Sequence, residues 1–247
     1  PPAIEAGLDG LMVDGGPEGG AALTAQVANA LRSAGSAALV LTVAGTPAEA
    51  FASSSAVAIV QGVWPGARNL ADMGIRSGPS ADSWIDSNIW LVRYLRAAAP
   101  GRPVWISSEP RDGAATGFLR CAAEAAVAGG RWIIAPDDQW RAAWLRKAPE
   151  ALAKWERLAA CLKFAAEHAE WRSFTPYGKL GIVVDPAGPS PDASNEYLNL
   201  AARRQIPYRV ILRPRLDREA LAGLQALLAA DLSAPTSEER ALLGNFA

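Results

Sequence analysis

The 247-residue chain has a single histidine, His168, and two cysteines, and its aromatic content is skewed: four tyrosines and five phenylalanines against nine tryptophans. One imidazole and two thiols 40 positions apart, Cys121 and Cys161, remove most zinc chemistry and most histidine-based triads. No stretch approaches 18 unbroken apolar residues, so no helix is expected to span a bilayer. Neither sign of charge dominates: 24 basic and 25 acidic side chains leave a net charge of −1, which argues against nucleic acid and anionic membrane as partners. Nucleotide-cofactor motifs are missing too. The stretch Gly15–Gly20 (GGPEGG) lacks the spacing of a dinucleotide fingerprint and carries Glu18, which would repel a pyrophosphate. There is no phosphate-binding Walker loop and no G-x-S-x-G nucleophile elbow. No cofactor and no metal are therefore expected.

What remains is half apolar and strongly patterned. Continuous apolar runs at 10–14, 38–43, 57–63, 103–107, 132–135, 180–184 and 208–212, with a weaker one at 224–231, read as strands buried on both faces. Helical patterns lie between them, at 21–33, 83–98, 115–128, 140–146, 151–171 and 196–204, and Ser237 opens another. Strand alternating with helix predicts a parallel α/β architecture. In the 151–171 segment Leu152, Trp155, Ala159, Leu162 and Ala166 form the predicted buried stripe. The break at Phe174–Gly178 divides the chain into an expected barrel-like unit, 1–175, and a second α/β unit, 176–247.

Ligands of parallel α/β folds meet the carboxyl ends of the strands, which makes the residues there the candidates. Asp14, Glu109, the pair Asp137 and Asp138, and Asp185 all follow apolar runs. Two carboxylates are what glycoside hydrolysis requires, one to protonate the leaving oxygen and one to attack or to activate water. Gln61, Trp64, Trp84 and Trp140 fall on or near the same rim, where indole rings could stack on sugar faces. The polar approach Arg76–Asn88 adds Arg76, Asp86 and Asn88 as substrate-binding candidates. Plainer roles stand beside these: aspartates at strand-to-helix junctions act as caps, and Ser83 with Asp86 fits a capping box. Most tryptophans would be core, His168 would sit at a helix end, and both cysteines would be small buried hydrophobes.

The segments QGVWPG (Gln61–Gly66), SADSWIDSN (Ser80–Asn88), VWISSEP (Val104–Pro110), RWIIAPDDQW (Arg131–Trp140) and TPYGKLGIVVDP (Thr175–Pro186) together resemble a bacterial glycoside-hydrolase-type (β/α) barrel followed by a glutamine-amidotransferase-like domain. The resemblance implies a TIM-type barrel, whole or partial, with a Rossmann or flavodoxin-like second unit. It also implies catalytic carboxylates at the ends of the fourth and seventh barrel strands. With the first five strands as the last five of a barrel, Asp14 is the acid/base candidate and Glu109 the nucleophile candidate. The chain departs from that pattern in having Val13-Asp14 where such barrels carry Asn-Glu, in lacking three barrel strands, and in having no cysteine within 176–247 to serve as a glutaminase nucleophile.

Three functions follow as expectations. One is a carbohydrate hydrolase using Glu109 with Asp14, Asp137 or Asp138. Another is a non-catalytic carbohydrate- or partner-binding module on a degenerate barrel. The last is a complete eight-strand barrel acting on a small anionic substrate near Arg213. Because the sequence starts at Pro1 and stops within a helical pattern, the second unit is expected to be incomplete, and a secreted or periplasmic location is favoured over a cytoplasmic one.

Overall fold

A computed structural model describes residues 10–13, 16–36, 39–44, 57–69, 83–110, 114–189, 191–229 and 231–246. Five strands, β1 (Gly10–Val13), β2 (Leu39–Ala44), β3 (Val57–Gln61), β6 (Trp105–Ser107) and β7 (Arg131–Ile133), form one sheet. All neighbours are parallel and lie in chain order. Between β3 and β6 the chain makes an antiparallel ribbon, β4 (Gly66–Asn69) with β5 (Ser83–Asp86). A second parallel sheet has the order β10-β8-β9, from β8 (Leu180–Val184), β9 (Tyr208–Leu212) and β10 (Ala226–Ala229). Its strand order reverses at β8, which has a neighbour on each side.

The helices bury the faces that their sequences dictate. In α1 (Gly16–Ser33), Thr24, Ala28 and Leu31 recur at helical spacing and are buried, with Val13 and Val40 completing that small cluster. Helices α2 (Ile89–Ala98) and α3 (Ala115–Val127) bury Leu91, Val92 and Leu95, and Phe118, Cys121, Ala122 and Ala125. Next come α4 (Asp138–Leu145), α5 (Pro149–Glu167), a short 3-10 helix (Ala169–Ser173), α6 (Pro191–Arg203), α7 (Arg218–Leu221) and α8 (Ser237–Gly244). The buried stripe of α5 lies about one position from the predicted one. Ala151 and Leu158 are its fully buried members, Trp155 and Leu162 flank them, and Ala166 is exposed. No helix among the described residues is long and apolar enough to cross a membrane.

Two expectations are corrected. The TIM-type closure does not form among the described residues: β1 and β7 each have a single partner and remain sheet edges. Strands β8–β10 hydrogen-bond to one another instead of closing the five-stranded sheet, so the complete eight-strand barrel is not made. The segment from Ser83 is also not the start of a helix. Ser83–Asp86 pairs with Gly66–Asn69 as a strand, and α2 begins at Ile89, so the Ser83 cap with Asp86 behind it does not exist.

The two sheets share packing. One core cluster runs from Val60 and Trp64 through α2, α3, Trp132, Trp140 and Leu158 to Ile182, Val184, Leu198, Tyr208 and Leu212. Helix α2 is the common element, in contact with α3 and with α6 and β9. Arg215 adds polar contacts by donating to the last carbonyls of α2, at 2.6 Å to Ala97 O and 3.1 Å to Ala98 O. The chain therefore changes sheet near the break at 174–178, while the core continues across it.

Candidate functional site

The carboxyl edge of the five-stranded sheet is built around Gln61 and Ser107, which are register partners at the ends of β3 and β6. The ladder continues one step further, with Gly62 N donating to Ser107 O at 2.7 Å. Asn88, with no solvent exposure, holds the chain after β3: its Oδ1 accepts from Val63 N at 2.9 Å and its Nδ2 donates to Val63 O at 2.8 Å. The amide thus pairs with the backbone as a neighbouring strand would. Only glycine fits at position 62, because a Cβ there would stand 2.6 Å from Asn88 Oδ1. Asn88 N donates in turn to Glu124 Oε2 at 2.7 Å, and burial raises the Glu124 carboxyl above its usual range.

Glu109 lies two residues past the end of β6. It is exposed between buried Ser108 and half-buried Pro110, and among the described residues it takes no hydrogen bond or ion pair. Gln61 is exposed on the neighbouring strand. Glu109 and Gln61 are thus predicted site residues that this edge presents to solvent.

The others go elsewhere. Asp137 is the N-cap of α4, its Oδ1 accepting from Trp140 N at 2.7 Å. The Asp138 side chain is 91% exposed and pairs with Arg141 within its own helix at 2.9 Å. Trp64 and Trp140 are 5% and 7% exposed and pack edge-on against Phe118, at centroid distances of 4.9 and 4.8 Å. Their rings therefore serve the core and are not stacking platforms on the rim. Gly117 permits the Trp64 contact, since a Cβ there would fall 2.1 Å from the indole. Asn88 is a latch for Val63, and with its amide so committed it makes no side-chain cap to α2. Trp84 and Asp86 lie in β5, opposite Arg68 and Gly66. Asp14 and Arg76 lie outside the described residues.

Thiol and imidazole chemistry find no place on this edge. Cys121 is buried beside Ser108 Oγ, at 3.5 Å, and burial pushes its thiol up to about 11, so it stays protonated at neutral pH. His168 ends α5, its Nδ1 lying 2.9 Å from Phe164 O and its ring stacked on Phe164. Among the described residues no group of three His, Cys, Asp or Glu side chains could hold a metal ion.

The carboxyl edge of the second sheet carries a polar cluster. Asp185 ends β8, its Oδ1 accepting from Ala187 N at 3.0 Å and its Oδ2 from Arg213 Nη1 at 2.8 Å. Arg213 also grips Glu239 through Nε and Nη2, at 2.8 and 2.9 Å, and donates to Ser233 O and Ala234 O. All five of its N–H donors are used, so Arg213 ties α8 to the sheet and has no donor left for an anionic substrate. Glu239 is at once the third residue of α8 in a capping box with Thr236 and a partner of Arg213, which draws its carboxyl down to about 2.

No family model matches this chain, and no curated protein matches it.

Proposed function

We propose that the carboxyl edge of the five-stranded sheet is the working edge of a glycosidase-type (β/α) arc, with Glu109 as its reactive carboxylate. The observation that carries this reading is Glu109, exposed just past β6 and without a partner among the described residues, in a parallel sheet whose strands follow one another in chain order without a reversal. Glu109 would act as nucleophile, with Gln61 on the adjacent strand to orient a sugar hydroxyl. The second carboxylate would be Asp14, which follows β1, three strand steps away. Strands spaced about 4.8 Å apart put the ends of β1 and β6 roughly 14 Å apart along the sheet, against the ~5–9 Å between carboxyl groups that glycoside hydrolysis uses. For the second unit, the order β9-β8-β10 supports a flavodoxin-like reading, since it equals the first three positions of the 2-1-3-4-5 order.

The test is hydrolysis of a panel of aryl glycosides by the wild type and Glu109→Gln. Loss of turnover by at least about a hundredfold, with an unchanged melting temperature, is expected when a catalytic carboxylate is neutralised. Equal turnover by the variant would refute the assignment. A second reading, a non-catalytic carbohydrate-binding module, is favoured by the commitment of Asp137 to a helix cap. It predicts saccharide binding without turnover.

A further inference from the structure

On the opposite side of the sheets, where β6, β7 and β9 begin, lies a cavity of about 760 Å³. Its walls come from the last turns of α2, the approach to β6, the start of β7, the 3-10 helix and the start of β9. Six of the chain's 20 arginines line it: Arg93, Arg96, Arg102, Arg131, Arg172 and Arg209. No aspartate or glutamate lines it. This concentration of one sign in a chain of net charge −1 is unfavourable unless an anion offsets it.

Local structural duties do not use up five of these guanidinium groups, those of Arg93, Arg96, Arg131, Arg172 and Arg209. Arg96 donates to Ala128 O and Phe174 O, at 3.0 and 3.4 Å, Arg172 to Ala165 O at 3.2 Å, and Arg209 to Ala222 O at 2.6 Å. Arg93 and Arg131 lie over the rings of Tyr208 and Trp105, at 4.8 and 5.1 Å. Among the described residues none of these five is in an ion pair with a carboxylate. Arg213, with its five filled donors, shows what a purely structural arginine looks like in this fold. Among the described residues these five arginines keep most of theirs, and Arg209 Nε is buried there with no hydrogen-bond partner. Burial, and after it the neighbouring Arg93 charge, also lowers the Arg96 pKa.

We propose that this cavity binds a small phosphorylated molecule, its phosphoryl oxygens held by Arg93, Arg96, Arg131, Arg172 and Arg209. Planar guanidinium forks match phosphate oxygens bidentately, and several can share one phosphoryl group. A single phosphate would leave most of a 760 Å³ space empty, while a phosphorylated sugar or nucleoside falls in the range that such cavities accommodate. Val104, Val210 and Tyr208 give the remainder of the ligand an apolar wall.

The test is calorimetric titration with sodium pyrophosphate, inorganic phosphate and citrate in turn. Pyrophosphate is expected to bind, phosphate more weakly, and citrate most weakly because its carboxylates are spread around a branched carbon. Arg93→Gln with Arg131→Gln removes two guanidinium groups that donate to no backbone carbonyl among the described residues, and pyrophosphate should bind it about tenfold more weakly or worse. Arg146→Gln with Arg157→Gln, an equal loss of exposed charge elsewhere, should stay within about twofold. No pyrophosphate binding, equal weakening in both double variants, or citrate binding as tightly as pyrophosphate would overturn the proposal. Phenylglyoxal labelling of the wild type needs no variant: pyrophosphate should shield Arg93, Arg96 and Arg131 but not Arg146 or Arg157, and uniform labelling would overturn it too. Glu109→Gln should bind pyrophosphate as the wild type does, which keeps this outcome separate from that of the glycosidase reading.

Discussion

Replacing Asn88 by alanine separates a latch from a ligand-binding residue. The substitution removes two hydrogen bonds to Val63, of 2.9 and 2.8 Å, from a side chain with no exposure, and leaves the Val63 N–H and C=O without partners. Two net contributions of about 1 kcal/mol each, with a further desolvation penalty of about 1 kcal/mol because Val63 is only half-buried, come to about 3 kcal/mol. For a chain of 247 residues the unfolding entropy near the transition is about 0.5 kcal/mol per kelvin, so the melting temperature should fall by about 6 °C. Thermal unfolding followed by circular dichroism measures it directly. Asn88→Asp should be at least as harmful at neutral pH, because it sets an acceptor against Val63 O and a second carboxylate near Glu124. A melting temperature within about 1 °C of wild type in Asn88→Ala would refute the latch, since a residue that only touches substrate costs little stability when removed.

Two further outcomes follow from the side-chain chemistry. Glu239 has its carboxyl drawn down to about 2 by Arg213 and the Thr236 backbone, below the ~4.3 of an unfolded chain, so its stabilisation is complete above pH ~4.3 and is lost as pH falls toward 2. Melting temperature should therefore drop more steeply between pH 5 and pH 2.5 in the wild type than in Glu239→Gln, on a buffer series of about those limits; parallel curves would contradict the clamp. Thiol titration with Ellman's reagent at mildly alkaline pH should find Cys161, which is half-buried, reacting slowly and Cys121 only after unfolding. Fast reaction of both thiols in the native protein would contradict the burial of Cys121.

The parallel strands were legible because each is a short continuous apolar run bounded by turn residues, and β8 (LGIVV) and β9 (YRVIL) show this most plainly. The β4–β5 ribbon was not: GARN and SWID contain no apolar run, and they become strands only because each satisfies the other's backbone. That pairing also shifted the start of α2 past the Ser83 pattern. Trp64 and Trp140 were legible as residues after strands but not as core, because the partner that draws both inward, Phe118, comes from α3. Asp137 behaves as its position before a helical run suggested. The arginine cavity had no linear signal, since Arg93, Arg131 and Arg209 come from separate elements and meet at the amino ends of strands, away from the edge where ligands are first sought.

Helix α2 bears on both sheets, and this has a consequence for how the molecule can be divided. A cut at the residue-175 break, although it falls between strands of different sheets, would strip one side of α2 of α6 and β9 and leave its last carbonyls without the Arg215 guanidinium. The severed halves would each expose what the other had covered, as do the two faces of a split interface. Whatever binds at either carboxyl edge acts on a body whose two sheets rest on one shared helix.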